Sequence, residues 1–231
     1  MKRKIREEIW KKIEENNVAL FPGAWGRIPN FKGVESTVQT LRKLEIYRKA
    51  EVVSVNPDSP QRLIREALLK DGKQVIMGTP GLKQGFIVLG NLVGREREAS
   101  TLRGAMRYGR KIGWKLPNID LKIVGSVAVS KTGGRIGKGQ GYFDIGFSIL
   151  RELNFIDEKT PVLTNVHPLQ IVDCIPMDKN DVPVDYIITL QKVIRTDSKF
   201  PKPSSVSWNL ITPDILRKYP IFQEIRRKKL G

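Results

Sequence analysis

The chain has 231 residues, 40% of them hydrophobic, which is enough for the core of one α/β domain or two small ones. No apolar run approaches the roughly 20 residues that span a bilayer, and the single cysteine, Cys174, excludes an internal disulfide and fits a reducing compartment. A formal net charge of +17 points to polyanionic company: nucleotide phosphates, an acidic small molecule, RNA or DNA.

Residues 2–16 place Ile5, Ile9, Trp10 and Ile13 on one helical face, with six Lys/Arg against two Glu over residues 2–12. This charged stretch lacks the apolar segment of a signal peptide, so a soluble, cytoplasmic protein with no membrane partner is expected. A loop follows with Pro22, Gly23, Gly26 and Pro29. Val34 to Ile46 reads as a second helix, with Val38, Leu41 and Leu44 inward. Ala50–Asn56 reads as a strand. Ser59–Lys70 reads as a helix with Ser59 at the N-cap and Pro60 at the first helical position.

Lys73–Met77 reads as a strand between Gly72 and Gly78, and Phe86–Leu89 is a short apolar run. Residues 96–111 are helical by pattern, so Arg103, Arg107, Arg110 and Lys111 are expected to form one basic stripe. Leu121–Ser130 reads as a single strand running toward a glycine-rich loop, and Gly141–Leu153 as the helix leaving it. Pro161–Val166 and Val184–Leu190 read as strands. Pro201-Lys-Pro203 reads as a surface linker, and Thr212–Tyr219 as a short helix before a basic tail, Arg226-Arg-Lys-Lys229. Continuous apolar strands alternating with helices predict a three-layer α/β/α sandwich with a mainly parallel sheet and a ligand site at the carboxyl ends of the strands.

The run Gly134-Arg-Ile-Gly-Lys-Gly-Gln-Gly-Tyr-Phe-Asp144 is the most informative segment. Glycines let backbone N–H groups wrap an anion, the helix starting near Gly141 adds its positive end, and Arg135 and Lys138 add full charges. The pattern suits a polyphosphate. It is neither the Walker sequence, which closes with Gly-Lys-Ser/Thr, nor the dinucleotide fingerprint, whose glycines are more widely spaced.

This run resembles the signature of the 5-formyltetrahydrofolate cyclo-ligase (5,10-methenyltetrahydrofolate synthetase) family, with Arg135, Gly137, Gly139, Gly141, Tyr142 and Asp144 matching. Lys2-Arg-Lys-Ile-Arg6 and Thr160–Ile194 resemble the two ends of that family's chain. Arg27–Gly33, Val55–Gln61 and Val124–Ser130 resemble the subgroup of methenyltetrahydrofolate synthetase domain-containing proteins. The resemblance implies a NagB/RpiA/CoA-transferase-like fold and ATP with Mg²⁺. The implied reaction cyclises 5-formyltetrahydrofolate, or a related formylated pterin, to the 5,10-methenyl form. ATP phosphorylates the formyl oxygen, N10 attacks the carbon, and phosphate leaves.

By the same resemblance ATP would lie on Lys2, Arg6, Gly134, Arg135, Ile136, Gly137, Lys138, Gly139, Gln140, Gly141 and Tyr142. Arg135 and Tyr142 would act in catalysis, and Asp144 would hold Mg²⁺. Each residue also has a plainer reading: Lys2 and Arg6 as solvated charges, Asp144 as a helix-start anion, Tyr142 as core. His167, the only histidine, has no partners for a zinc site or triad, and Gln170 packs or bonds backbone.

Three positions and one segment depart from the pattern. Ile145 stands for Arg and Asn180 for His, Leu190 follows Thr189 where the related subgroup has Pro, and Asn56-Pro-Asp-Ser-Pro-Gln61 stands where the family has Glu-x-x-Thr. The phosphate half of the site matches and the pterin half differs. Residues 1–200 are expected to form one domain carrying the ATP and pterin site, and residues 201–231 a basic extension packed on it or trailing it. The chain is expected to act as a monomer or homodimer. The alternative is a non-catalytic nucleotide- or RNA-binding protein that reuses the fold, with nucleic acid on its basic surface.

Overall fold

Strands as apolar as Val52–Val55 are stable only when both faces are covered, and the chain covers them with helices on either side. The structure, a computed structural model, describes residues 1–230; Gly231 and the side chains of Leu210, Lys218, Lys228, Lys229 and Leu230 lie outside the described residues. The basic tail is therefore described only at Arg226 and Arg227, both exposed.

The chain opens with α1 (Lys2–Glu15), α2 (Val34–Arg42) and α3 (Glu45–Lys49), then β1 (Val52–Val55), α4 (Arg62–Lys70), β2 (Gln74–Gly78) and β3 (Phe86–Leu89). Next come α5 (Glu96–Ala99), α6 (Leu102–Tyr108), β4 (Arg110–Gly113), β5 (Leu121–Val124), β6 (Ala128–Ser130), β7 (Arg135–Ile136) and α7 (Tyr142–Glu152). It closes with β8 (Val162–Asn165), β9 (Ile171–Val172), β10 (Tyr186–Ile188), β11 (Val193–Arg195), α8 (Pro213–Lys218) and α9 (Ile221–Leu230).

Eight strands form one sheet in the order β11-β10-β8-β5-β1-β2-β3-β4. The five from β10 to β2 run parallel, and β11, β3 and β4 add antiparallel edges. One face packs Leu41, Ile64 and Leu68 of α2 and α4 over Val53, Val75, Ile123 and Leu163. The other packs Phe147 and Leu150 of α7, with Tyr219, Phe222 and Ile225 near the end of the chain, over Ile76, Val124, Val162 and Ile187. The layered α/β/α architecture read from the sequence is the one observed. A smaller sheet, β7-β6-β9, supports α1 through Ile9, Trp10, Ile13, Ala128 and Ile136.

Several expected elements divide. Leu121–Ser130 is two strands in different sheets, broken at Gly125 and Ser126, because the Ser126 hydroxyl bonds Thr164 at 2.8 Å and its carbonyl accepts the Gln170 side chain at 2.8 Å. Val34–Ile46 breaks at Lys43-Leu44 into α2 and α3. Ser59–Gln61 is a turn of 3-10 helix entered from Asp58, so Ser59 is not the N-cap of α4.

Residues 96–111 are α5, α6 and an edge strand. Arg103 and Arg107 sit on α6 while Arg110 and Lys111 sit on β4, so no single basic stripe forms. Gly104 makes this crowding feasible, since a Cβ there would lie 1.9 Å from the Glu98 carbonyl oxygen. Pro201–Pro203 is not a surface linker either. Lys202 is buried and its ammonium reaches Asp185 at 2.8 Å and the Thr160 carbonyl at 3.0 Å. Beyond Tyr219, α9 was not expected from sequence.

Candidate functional site

Strands β1, β2 and β5 end side by side at Val55, Gly78 and Val124, and the segments that follow them line one cleft of about 500 Å³. This is the position open parallel sheets offer a ligand. The floor holds Ser54 and Lys122. One wall is Asn56–Asp58, another is Thr79–Leu82 with Phe86 and Leu102, and the third is Arg135–Asp144 with α1 across it.

The glycine run folds into the third wall as β7, a turn, and the start of α7. Gly139 (φ +96°) and Gly141 (φ +67°) take backbone conformations that side-chain-bearing residues rarely adopt. Gly141 is the N-cap of α7, so the helix's positive end opens toward the cleft. A Cβ on Gly139 would lie 3.3 Å from the Arg6 guanidinium carbon, tight enough that the guanidinium reaching over from α1 would have to shift.

Arg6 Nε donates to the Gly137 carbonyl at 2.6 Å. Burial, with the like charge of Arg135 nearby, lowers the Arg6 pKa, and Asp181 partly opposes this. A cation held among cations is poised for an anion. Lys2, one helical turn away, donates to Asp178 at 2.6 Å and also to Asp181. Burial works against its charge, but the two carboxylates outweigh that and raise its pKa.

Arg135 is 3% exposed. Its guanidinium donates to Asp144 Oδ1 at 2.8 Å and lies 4.6 Å from the centre of the Phe143 ring. Asp144 Oδ1 also accepts the Val182 N–H at 3.1 Å. Lys138 reaches Asp58 at 3.1 Å, which ties the loop to the segment after β1. That segment is anchored from behind by Arg65, which is buried and donates to the carbonyls of Asn56, Asp58 and Ser100. Burial lowers its pKa to about 10.

The cleft thus gathers Lys2, Arg6, Arg135, Ile136, Gly137, Lys138, Gly139, Gln140, Gly141, Tyr142 and Asp144. Gly134 stands apart. Its N–H donates to Ser130 Oγ at 3.0 Å and a Cβ there would meet that oxygen at 2.8 Å, so its role is packing the loop's root. His167 caps a 3-10 turn through Nδ1, and burial lowers its pKa. Gln170 bonds the Ser126 and Val127 carbonyls. Both lie outside the cleft, as satisfied structural residues would. Lys122 and Ser54 went unnoticed in the sequence, although a lysine inside Leu121–Val124 interrupts an otherwise apolar strand.

A glycine-rich loop that opens a helix beside a parallel sheet, faced by basic residues, defines an α/β domain whose cleft suits an anion. The chain belongs to the 5-formyltetrahydrofolate cyclo-ligase family, whose family model matches residues 1–190. It is 37% identical, over 99% of its length, to the methenyltetrahydrofolate synthase domain-containing proteins of Bos taurus and Homo sapiens. It spans 62% of the length of these relatives. Its fold is similar to the NMR structure of the Aquifex aeolicus 5,10-methenyltetrahydrofolate synthetase, with a TM-score of 0.55 and 19% identity over 85% of this chain and 93% of that one.

Proposed function

We propose that the cleft binds ATP with Mg²⁺ on the glycine loop and cyclises 5-formyltetrahydrofolate, or a related formylated pterin, to its 5,10-methenyl form with release of ADP and phosphate. The observation that carries this reading is the closure of α1 on the loop: Arg6, Gly137 and Gly139 meet in one contact at the cleft rim.

A phosphate cradle requires backbone that approaches without Cβ atoms, and Gly139 and Gly141 supply it. Among the described residues no cluster of three or more His, Cys, Asp or Glu could hold a metal alone. That suits Mg²⁺, which is commonly held by one or two carboxylates with substrate phosphates and water. Asp144 is the fitting carboxylate. Its Oδ1 is taken by Arg135 and Val182, and its Oδ2 has no hydrogen bond among the described residues.

Bound ATP would supply the phosphoryl group that turns a formyl oxygen into a leaving group. The chain's part is positioning and charge neutralisation. Arg6 and Lys138 orient phosphates from two sides, and Arg135 fixes the Asp144 carboxylate. Tyr142, at the first turn of α7 and on the cleft lining, would stack on or bond the pterin or formyl group. Leu82, Phe86 and Leu102 give the opposite wall an apolar surface for a ring.

The test is the near-ultraviolet absorbance of the methenyl product in a mixture of protein, Mg-ATP and 5-formyltetrahydrofolate. An ATP-dependent rise, lost in Asp144→Asn, supports the cyclo-ligase. No rise, with ATP still bound by calorimetry, moves the assignment to another substrate. No rise and no ATP binding overturns the reading.

A further inference from the structure

Lys122 projects from the centre of the sheet into the cleft floor. It is 5% exposed. Its ammonium nitrogen lies 3.1 Å from Ser54 Oγ and 5.5 Å from the centre of the Phe143 ring. No carboxylate pairs with it among the described residues. The elements packed against it offer no charge: the register sets Ser54 of β1 and Val162 of β8 at its flanks, and α7 presents Phe143. The nearby charged groups are committed elsewhere, Arg135 to Asp144 and Lys138 to Asp58.

A buried lysine without a countercharge is expensive to keep charged, and a folded domain retains one mainly where its chemistry is used. The cleft has three carboxylates, and each is already held by a cation: Asp58 by Lys138, Asp144 by Arg135, Asp181 by Lys2. Guanidinium groups do not accept protons. The Lys122 amine is the basic group left over.

We propose that Lys122 is a catalytic residue of this cleft, its amine taking the proton that N10 of the formyl-pterin gives up on ring closure. This rests on the cyclo-ligase reading above. In that step the N10–carbon bond forms and the bond from carbon to the phosphorylated oxygen breaks. Phosphate leaves with the electron pair, and the N10 proton passes to the lone pair on Lys122 Nζ. The base must begin as a free amine, and burial favours that form, lowering its pKa to about 7. Ser54 and the Phe143 face then receive the ammonium as it forms.

Two measurements separate this proposal from the reading beneath it. Trace acetylation of the resting protein with acetic anhydride, read by peptide mass spectrometry across pH, reports the amine without turnover. Labelling of Lys122 half-maximal near pH 7, and suppressed by 5-formyltetrahydrofolate, is expected. Labelling that tracks the ordinary lysine value of 10.5, or none at any pH, overturns the proposal.

Lys122→Met is then assayed against wild type. Loss of a general base should lower kcat at least about 100-fold with KM little changed, and remove the rise of kcat through neutral pH. A Lys122→Met enzyme that keeps wild-type kcat overturns the base assignment and leaves the cyclo-ligase standing. Wild-type protein without turnover overturns both. Should Lys122→Met fail to fold, Lys122→Gln and the wild-type labelling profile decide.

Discussion

The Arg135 guanidinium and the Asp144 carboxylate form a 2.8 Å ion pair across the turn that joins β7 to α7. Arg135 is almost fully buried and Asp144 is 23% exposed, so the pair fixes which carboxylate oxygen remains available at the rim. Asp144→Asn keeps an acceptor for the Val182 N–H and removes the charge. It should abolish Mg²⁺-dependent turnover. It should also cost on the order of 1–3 kcal/mol, below the full penalty of an unpaired buried charge because Asp144 is partly solvated. Turnover and urea midpoint, measured together, check both halves; unchanged turnover would remove Asp144 from the metal role.

Gly139→Val should close the phosphate cradle. The substitution is strained at φ +96°, and its Cβ would press on the Arg6 guanidinium. Calorimetry should show ATP affinity reduced at least about tenfold, equivalent to about 1.4 kcal/mol. Unaltered affinity would place the nucleotide elsewhere.

Arg6 and Lys2 differ in what they have left to give. Arg6 donates to a backbone carbonyl and feels Asp181 only at a distance, whereas Lys2 is held directly by Asp178 and Asp181. Arg6→Ala should weaken ATP binding about tenfold or more, since a hydrogen bond to a charged group contributes about 1.5–3 kcal/mol. Lys2→Ala should cost less. Equal effects would mean that Lys2 leaves its carboxylates when the nucleotide arrives.

Lys122 also leaves a mark on stability. Its folded value of about 7 lies below the ordinary 10.5. Between those values the unfolded chain holds a proton that the folded chain has released, so stability rises with pH through that window. Methionine has a similar shape and no charge to desolvate. Lys122→Met should therefore be more stable than wild type near pH 7, the gap shrinking as the pH approaches 10.5. Thermal melts of both proteins across that range check this; a gap independent of pH would show that Lys122 does not titrate there.

The layered fold was legible because Val52–Val55, Leu121–Val124 and Val162–Asn165 lie in short runs rich in Val, Leu and Ile, too short for helices and flanked by helical patterns. The loop at Gly134–Asp144 announced itself through glycine spacing. What stayed hidden depends on partners distant in sequence. Nothing local says that Leu121–Ser130 must break at Gly125, because the break is fixed by Thr164 and Gln170. Residues 96–111 kept helical spacing to the end, yet Arg110–Gly113 pairs with β3, and strand pairing overrode the local pattern. Lys122 was visible as a charge in an apolar strand. Its place at the cleft floor became evident only from the neighbours that β1 and α7 bring to it.

The contact of Arg6 with Gly137 spans 131 positions of the chain, and Lys2 reaches 176 positions to Asp178. During synthesis α1 emerges well before the surfaces it packs on. Contacts of such separation are favourable only after the intervening chain has ordered, so they form late. The sheet can be complete while the cleft still lacks one side. A nascent or partly unfolded chain would then hold its strands in register and bind nucleotide poorly, and ligand would in turn favour the chain whose first helix has docked.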